Sequence, residues 1–169
     1  KTTAVYDEAT DEYVLNGTKC FITGGSRAGV LVIFALTEPE KGTKGMTAFI
    51  VESSYPGFSV GKIENKMGLC GSETAELVFE DCRVPAKNIL GKPGKGFKIA
   101  MMALDAARVG VGAQANGVAE AAIEMSVKYM GERVQSGKPI GVLQGLQWYI
   151  AEMATKTEAA KALVYEASY

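Results

Sequence analysis

Apolar positions change their period near residue 97, and the change divides the chain into two kinds of structure. Before it, apolar residues come in runs of strand length. Val30 to Leu36 is unbroken, Met46 to Val51 is another, and Ala75 to Glu80 partly alternates. Gly and Pro punctuate these runs at Pro39 with Gly42, at Pro56-Gly57, and at Gly68 with Gly71. Several short strands between turn signals predict an antiparallel sandwich or barrel over residues 1–85. Residues 86–96, with Gly91, Pro93, Gly94 and Gly96, read as a linker that hinges into a helix.

From Phe97 the period is helical. Phe97, Met101, Leu104, Arg108, Val111, Ala115, Val118, Ala122, Met125 and Tyr129 recur in steps of four and three, which predicts one stripe along a long helix. Beside it runs a row of small residues, Ala103, Ala106, Gly110, Ala113 and Gly117, with Gly112 close by. Glycine costs a helix interior about 1 kcal/mol relative to alanine, so its repeated use predicts close approach by another helix or a ligand. Gly137 and Pro139 break the pattern. A second helix follows, with Leu143, Leu146, Ile150, Met153, Thr157, Ala160, Val164 and Ala167 on one stripe. Residues 97–169 are therefore expected to form a long antiparallel helix hairpin, half of a four-helix bundle, and the fold class is α+β.

Asn16-Gly17, between Tyr13-Val14-Leu15 and a second apolar run, carries the strongest short-range signal for a tight β-hairpin. Strict alternation after it puts Thr18, Cys20 and Ile22 on one face and Lys19, Phe21 and Thr23 on the other. An aromatic plane two residues from a hydroxyl suits a flat heteroaromatic ligand that needs stacking and a hydrogen bond. It also suits a half-exposed strand with no ligand. Arg108 interrupts an apolar stripe, so it is either paired with Asp105 one turn earlier or faces a polar ligand with it. Arg133 and Gln135 read as a basic helix end favoured by the macrodipole. The run Gly91 to Phe97 has the glycines of a phosphate loop, but Phe97 stands where such a loop needs Lys and Ser or Thr.

Composition removes several classes of function. A net charge of −1 gives no footprint for nucleic acid or an anionic membrane, and no apolar run has the length of a membrane span. There is no histidine, which excludes the Ser-His-Asp and Cys-His nucleophile systems and most catalytic zinc sites. Cys20, Cys70 and Cys82 are odd in number and widely spaced, which predicts reduced, packed thiols rather than a disulfide frame or metal site. The chain begins at Lys1 and stops at Tyr169 inside a helical pattern, so it is expected to be an internal piece of a longer protein.

Taken in order and spacing, a set of segments along nearly the whole chain resembles the acyl-CoA dehydrogenase family. They are Tyr13 to Lys19 with Phe21-Ile22-Thr23, Gly45 to Val51, Pro56 to Val60, Lys66-Met67-Gly68, Leu77 to Pro85, Gly94 to Phe97, Leu104 to Arg108, Glu132 to Pro139, Gln144, and Ala151 to Thr155. The resemblance implies a middle β-domain followed by the first two helices of a C-terminal helical domain. It implies FAD as cofactor and α,β-dehydrogenation of an acyl-CoA thioester, with a lean to short chains, in fatty-acid β-oxidation. Phe21, Ile22 and Thr23 match the strand that lies against the flavin, with the Thr23 hydroxyl near N5. Arg133 matches an arginine that meets the FAD pyrophosphate of a neighbouring subunit, and Gln135 and Gln144 match nearby FAD contacts. Ser72, Asp105 and Arg108 match positions that contact acyl-CoA.

Three positions depart from the family's usual residues: Ser136 where Phe is frequent, Cys70 where Arg is frequent, and Gly24 where Asn is common. The catalytic carboxylate of most members lies far downstream, beyond Tyr169. In a minority it stands immediately before the arginine, where this chain has Ala107. No catalytic base is therefore expected within the chain, and the segment alone is expected to be inactive. The resemblance further implies electron-transfer flavoprotein as partner and a homodimer or homotetramer. With no targeting segment in the sequence, a bacterial cytoplasm is expected, with the mitochondrial matrix as the alternative. An oxidase on the same scaffold and a non-catalytic homologue are the other readings considered.

Overall fold

Two strands of twelve residues organise the first half of the chain, β2 (Glu12–Thr23) and β6 (Thr74–Pro85), paired antiparallel along their length. The computed structural model describes residues 1–169 and divides them into two units, Lys1–Met102 and Ala103–Tyr169. In the first unit β1 (Thr3–Asp7), β3 (Val30–Leu36), β4 (Met46–Glu52) and β5 (Phe58–Ile63) complete one six-stranded sheet in the order β4-β3-β1-β2-β6-β5. All neighbours are antiparallel except β1 and β3, which share one parallel rung, Thr3 with Leu36. The expected antiparallel sheet is thus mixed at one contact.

The sheet curls, because Phe49 of β4 at one edge reaches Tyr13 of β2, with ring centroids 5.0 Å apart. The core inside the curl contains Leu15, Ile33, Phe49, Val51, Leu77, Phe79 and Val84. Beyond the start of β1, Lys19 of β2 bridges toward β3. Its Nζ donates to the Phe34 carbonyl at 2.5 Å, and burial pushes its pKa below the ordinary lysine value.

Asn16-Gly17 is not a hairpin turn. The chain runs straight through it, and the turn between β1 and β2 lies at Glu8 to Asp11. From Leu15 to Gly17 β2 takes two steps while β6 takes three, from Cys82 to Phe79. The extra residue is on β6, where Asp81 has φ +50°. Asn16 clamps it: its amide donates to the Asp81 carboxylate at 2.9 Å, and the Asp81 N–H donates to the Asn16 carbonyl oxygen at 2.8 Å. Asn-Gly thus serves a β-bulge, a second use of the same local chemistry. Gly17 has φ +126°, and a Cβ there would lie 2.9 Å from Thr2 Cα.

A second bulge cancels the first. Lys19 faces Leu77 and Ile22 faces Ala75, so Cys20 and Phe21 together oppose Glu76. Phe21 has φ +59°. Strict alternation therefore fails here: Lys19 and Ile22 turn inward, while Thr18, Cys20, Phe21 and Thr23 are all exposed. Of the three free thiols Cys82 is buried, but Cys20 and Cys70 are exposed rather than packed.

The Pro-Gly segment before the long helix is a strap, not a free hinge. Asn88 donates to the Ile50 carbonyl at 3.0 Å, Leu90 N–H to Ala48 at 2.9 Å, and Gly94 N–H to the Thr47 hydroxyl at 2.9 Å. Helix α1 (Gly96–Glu132) follows, then the two-residue strands β7 (Val134–Gln135) and β8 (Lys138–Pro139), then α2 (Gln144–Ala167).

In the second unit the expected stripe of α1 is not the one that meets α2. Val111, Val118 and Met125 are exposed. The partly buried row is Val109, Gly112, Asn116, Ala119, Ile123 and Met130. Val164 of α2 crowds Gly112, and Lys161 pairs with Glu120 at 2.6 Å. Gly110 and Gly117 have open space around them. The α2 stripe agrees with expectation at Leu146, Ile150, Thr157, Ala160 and Val164, with Ala154 in place of Met153.

Gly57 sits against the β6 bulge. It has φ +83°, its carbonyl accepts from Glu80 N–H at 2.8 Å, and a Cβ there would strike the Glu80 carbonyl and lie 2.9 Å from Cys82 Cα. Gly57→Ala is expected to cost about 3 kcal/mol, since left-handed strain and overpacking add. Gly42→Ala, at φ +57° with open space around it, is expected to cost about 1 kcal/mol. Denaturant unfolding of the two variants side by side checks the difference.

Candidate functional site

One end of the sheet gathers exposed chemistry on a rigid base. The bulge opposite Glu76 reverses which side chains face out, so the Phe21 ring stands 74% exposed with Thr23 two residues beyond it. Phe21 belongs to none of the ring pairs in the unit, which are Tyr6–Tyr13, Tyr13–Phe49 and Phe58–Phe79. Phe21 thus combines a positive φ, uncommon for a residue other than glycine, with a ring that has no aromatic partner. Thr23 pairs with Thr74, which brings the loop carrying Ser72 to the same end.

Glu73 fixes that loop. Its backbone carbonyl accepts from Gly24 N–H at 2.8 Å, and its carboxylate accepts from the Ser26 hydroxyl at 2.7 Å and from Arg27 at 3.0 Å. The Arg27 guanidinium, then the Ser26 hydroxyl, hold the Glu73 carboxyl below the usual carboxylate range. Within the loop the Ser72 N–H donates to Leu69 at 3.0 Å, and Lys66 Nζ donates to the Ser72 carbonyl. Ser72 itself is exposed, and Met67 and Leu69 stand out beside it in sequence with no cover. Of the residues expected to touch ligand, Phe21, Thr23 and Ser72 are thus collected at one place. Ile22 is not an open contact, because its side chain packs against the core. The arrangement fits a flat heteroaromatic group that needs an apolar face and a hydroxyl partner.

On the helical unit, Arg108 is not a guanidinium in a buried stripe. It and Asp105 are both about three-quarters exposed and pair at 3.5 Å, an arrangement that leaves them free to reorganise around a ligand. Helix α1 ends at Glu132, and Arg133 does stand at that end, its N–H donating to the Tyr129 carbonyl at 2.8 Å, whereas Gln135 belongs to a ribbon that begins at Val134. Ser136 (φ +53°) and Gly137 (φ +76°) make its two-residue turn, Gln135 pairs with Lys138, and Ile140 N–H donates to Arg133 at 2.8 Å. Gln144, exposed, opens α2 a few residues later. The ribbon is signalled in the sequence only by Ser-Gly, a pair compatible with the positive φ that a tight hairpin turn needs. The Phe21 bulge has no such signal. No group of three His, Cys, Asp or Glu side chains is placed to hold a metal ion.

Residues 1–82 match the family model of the acyl-CoA dehydrogenase middle domain, and residues 94–169 match that of the acyl-CoA dehydrogenase C-terminal domain. Over all 169 residues the chain is 74% identical to a protein of Anaerotignum propionicum named acryloyl-CoA reductase (NADH), of which it covers 43%. It superposes on butyryl-CoA dehydrogenase from Megasphaera elsdenii with a TM-score of 0.93 at 51% identity, covering 98% of this chain and 43% of that one. A chain from a structure described as electron transferring flavoprotein of Acidaminococcus fermentans gives the same TM-score at 55% identity. The chain spans less than half the length of the relatives it matches. Both halves match models of the same family in the same order, and the chain belongs to the acyl-CoA dehydrogenase family.

Proposed function

We propose that this chain forms the flavin- and CoA-facing part of an FAD-dependent acyl-CoA dehydrogenase acting on a short-chain thioester. What supports this is the bulge that turns Phe21 and Thr23 outward together at the end of the sheet that also carries Ser72. Phe21 and Thr23 would meet the isoalloxazine, with Ile22 behind them as packed support. Arg133, Gln135 and Gln144 would hold the rest of FAD. Ser72, Asp105 and Arg108 would hold the acyl-CoA. FAD, when bound, supplies two-electron redox chemistry between Cα and Cβ of the thioester.

The chain's own part is positioning. The strand end fixes Thr23 as a hydrogen-bond partner for the cofactor, and the stapled loop fixes Ser72. The residue immediately before Arg108 is Ala107, which accepts no proton. The α-proton is therefore assigned to a carboxylate outside these 169 residues. The names of the relatives, butyryl-CoA dehydrogenase and acryloyl-CoA reductase, support a short acyl chain. The 74% identity to a reductase favours a second direction, in which a 2-enoyl thioester gains two electrons and two protons across the same carbon pair. The likeness to a chain described with an electron transferring flavoprotein supports that partner for electron exchange. A homodimer or homotetramer in a bacterial cytoplasm completes the proposal.

Thr23→Val in the flavin-loaded protein is expected to keep the fold and the FAD but slow flavin reduction by an acyl-CoA about tenfold or more. A hydrogen bond aimed at developing charge acts on the barrier rather than on binding. Stopped-flow bleaching of the flavin measures it, and a wild-type rate removes Thr23 from the role. Arg133→Ala is expected to loosen FAD about ten- to a hundredfold, the worth of a charge-assisted contact, and to weaken subunit association with it. Arg133→Lys should rescue only in part, because an ammonium lacks the planar fork. FAD content and oligomer mass of the same samples decide the matter.

A further inference from the structure

β2 loses a neighbour partway along its length. β1 pairs with it only from Glu12 to Asn16, and no strand pairs with residues 18–23 on that side. β3, the next strand in the chain, meets β1 at a single rung and forms no ladder with β2. On the other side the ladder to β6 is interrupted between Lys19 and Ile22, where Cys20 and Phe21 oppose Glu76. The end of β2 that carries Phe21 and Thr23 is therefore loosely laced on one side and open on the other.

Two side chains reach across the open side. Thr2 Oγ1 donates to the Thr18 carbonyl at 3.1 Å, which ties β2 to the residues just before β1. Lys19 Nζ donates to the Phe34 carbonyl at 2.5 Å, and this is the hydrogen bond that crosses to β3. Lys19 is also the last residue paired with β6 before the bulge, so the tie is made where the ladder stops. The ammonium is half-buried, and burial alone depresses its pKa, with no carboxylate to offset the cost. A methionine, unbranched and of similar length, would fill the same space without that cost. A charge at this position is explained by what its bond holds in place.

We infer that Lys19 is a positioning residue for the proposed flavin contact: its bond to β3 fixes how the end of β2 presents Phe21 and Thr23. The inference rests on the flavin reading above and adds to it a residue that acts through Thr23 without touching the cofactor. A small displacement of a positioned group is enough to slow a reaction.

Lys19→Met, Thr23→Val and the double variant are to be made in the flavin-loaded protein. By amide hydrogen exchange, residues 20–23 of Lys19→Met should exchange about tenfold faster, with β3 and β4 at the parental rate. By stopped flow at saturating acyl-CoA, Lys19→Met should reduce its flavin about tenfold more slowly, with FAD content unchanged. The double variant should be no slower than Thr23→Val alone, because both changes act on one contact. Lys19→Gln, one atom shorter than lysine, is read in the same way where Lys19→Met does not fold.

Parental exchange at residues 20–23 means that the bond does not hold the strand end, and the inference fails. Exchange that quickens evenly across the sheet makes Lys19 a residue of general stability, and the inference fails again. If Thr23→Val is slow but the two effects multiply in the double variant, Lys19 does not act through Thr23, and the flavin reading stands without it. If Thr23→Val reduces its flavin at the parental rate, the flavin role of Thr23 itself falls and takes the inference with it.

Discussion

β2 and β6 are each twelve residues long, and a slip of one residue between them would send every inward side chain of the pair to the solvent face. The native pairing accommodates two irregularities without that outcome because they lie on opposite strands. Asp81 adds a residue to β6, Phe21 adds one to β2, and the register after both is the register before either. Between them, Phe79 and Cys82 can both face the core although they are three apart. Beyond the second bulge, Ile22 takes up the inward role while Phe21 is released to solvent. The Gly57 crowding, the Asn16 clasp and the position of the Glu73 loop all follow from where these two residues are inserted.

The outline was legible where punctuation was strong. β3 occupies the predicted Val30 to Leu36, and β4 ends one residue later than expected. Gly and Pro bound those runs, and their apolar character leaves little choice. Asn16-Gly17 misled because the same two residues serve a tight turn or a bulge, and only a long partner strand on both sides decides. α2 was legible since one side of it is apolar. α1 was not, because apolar and small residues surround it. A period of 3.6 can be traced along more than one line there, and the line through Met101, Val111 and Val118 is not the one that meets α2.

For the site, the resemblance named residues, and the physics of the backbone determines what they can do. Thr23 and Ser72 are brought together by the pairing of Thr23 with Thr74, a contact no local pattern encodes. Strict alternation placed Phe21 with Lys19. The bulge separates them, leaving the ring in solvent and the ammonium against the Phe34 carbonyl. Gln135 stands opposite Lys138 only because two residues on either side of Ser-Gly form a ladder, and strands of that length carry no periodic signal.

The strap from Pro85 to Gly96 has the composition at which proteases commonly cut, rich in glycine and proline and lying between two unlike structures. Its backbone is not available to them. A protease must draw several residues into an extended, unpaired form, and here Asn88, Leu90 and Gly94 are each held to consecutive stretches of β4. Opening the strap would uncover the edge of the core at Ala48 and Phe49, both fully buried. The exposed loop around Met67 to Cys70 is anchored at its end by Glu73 but bonds elsewhere only to itself, through Ser72 to Leu69 and Cys70 to Lys66, and is the softer target. Limited digestion of this protein would therefore nick that loop before it parted the chain at its apparent joint.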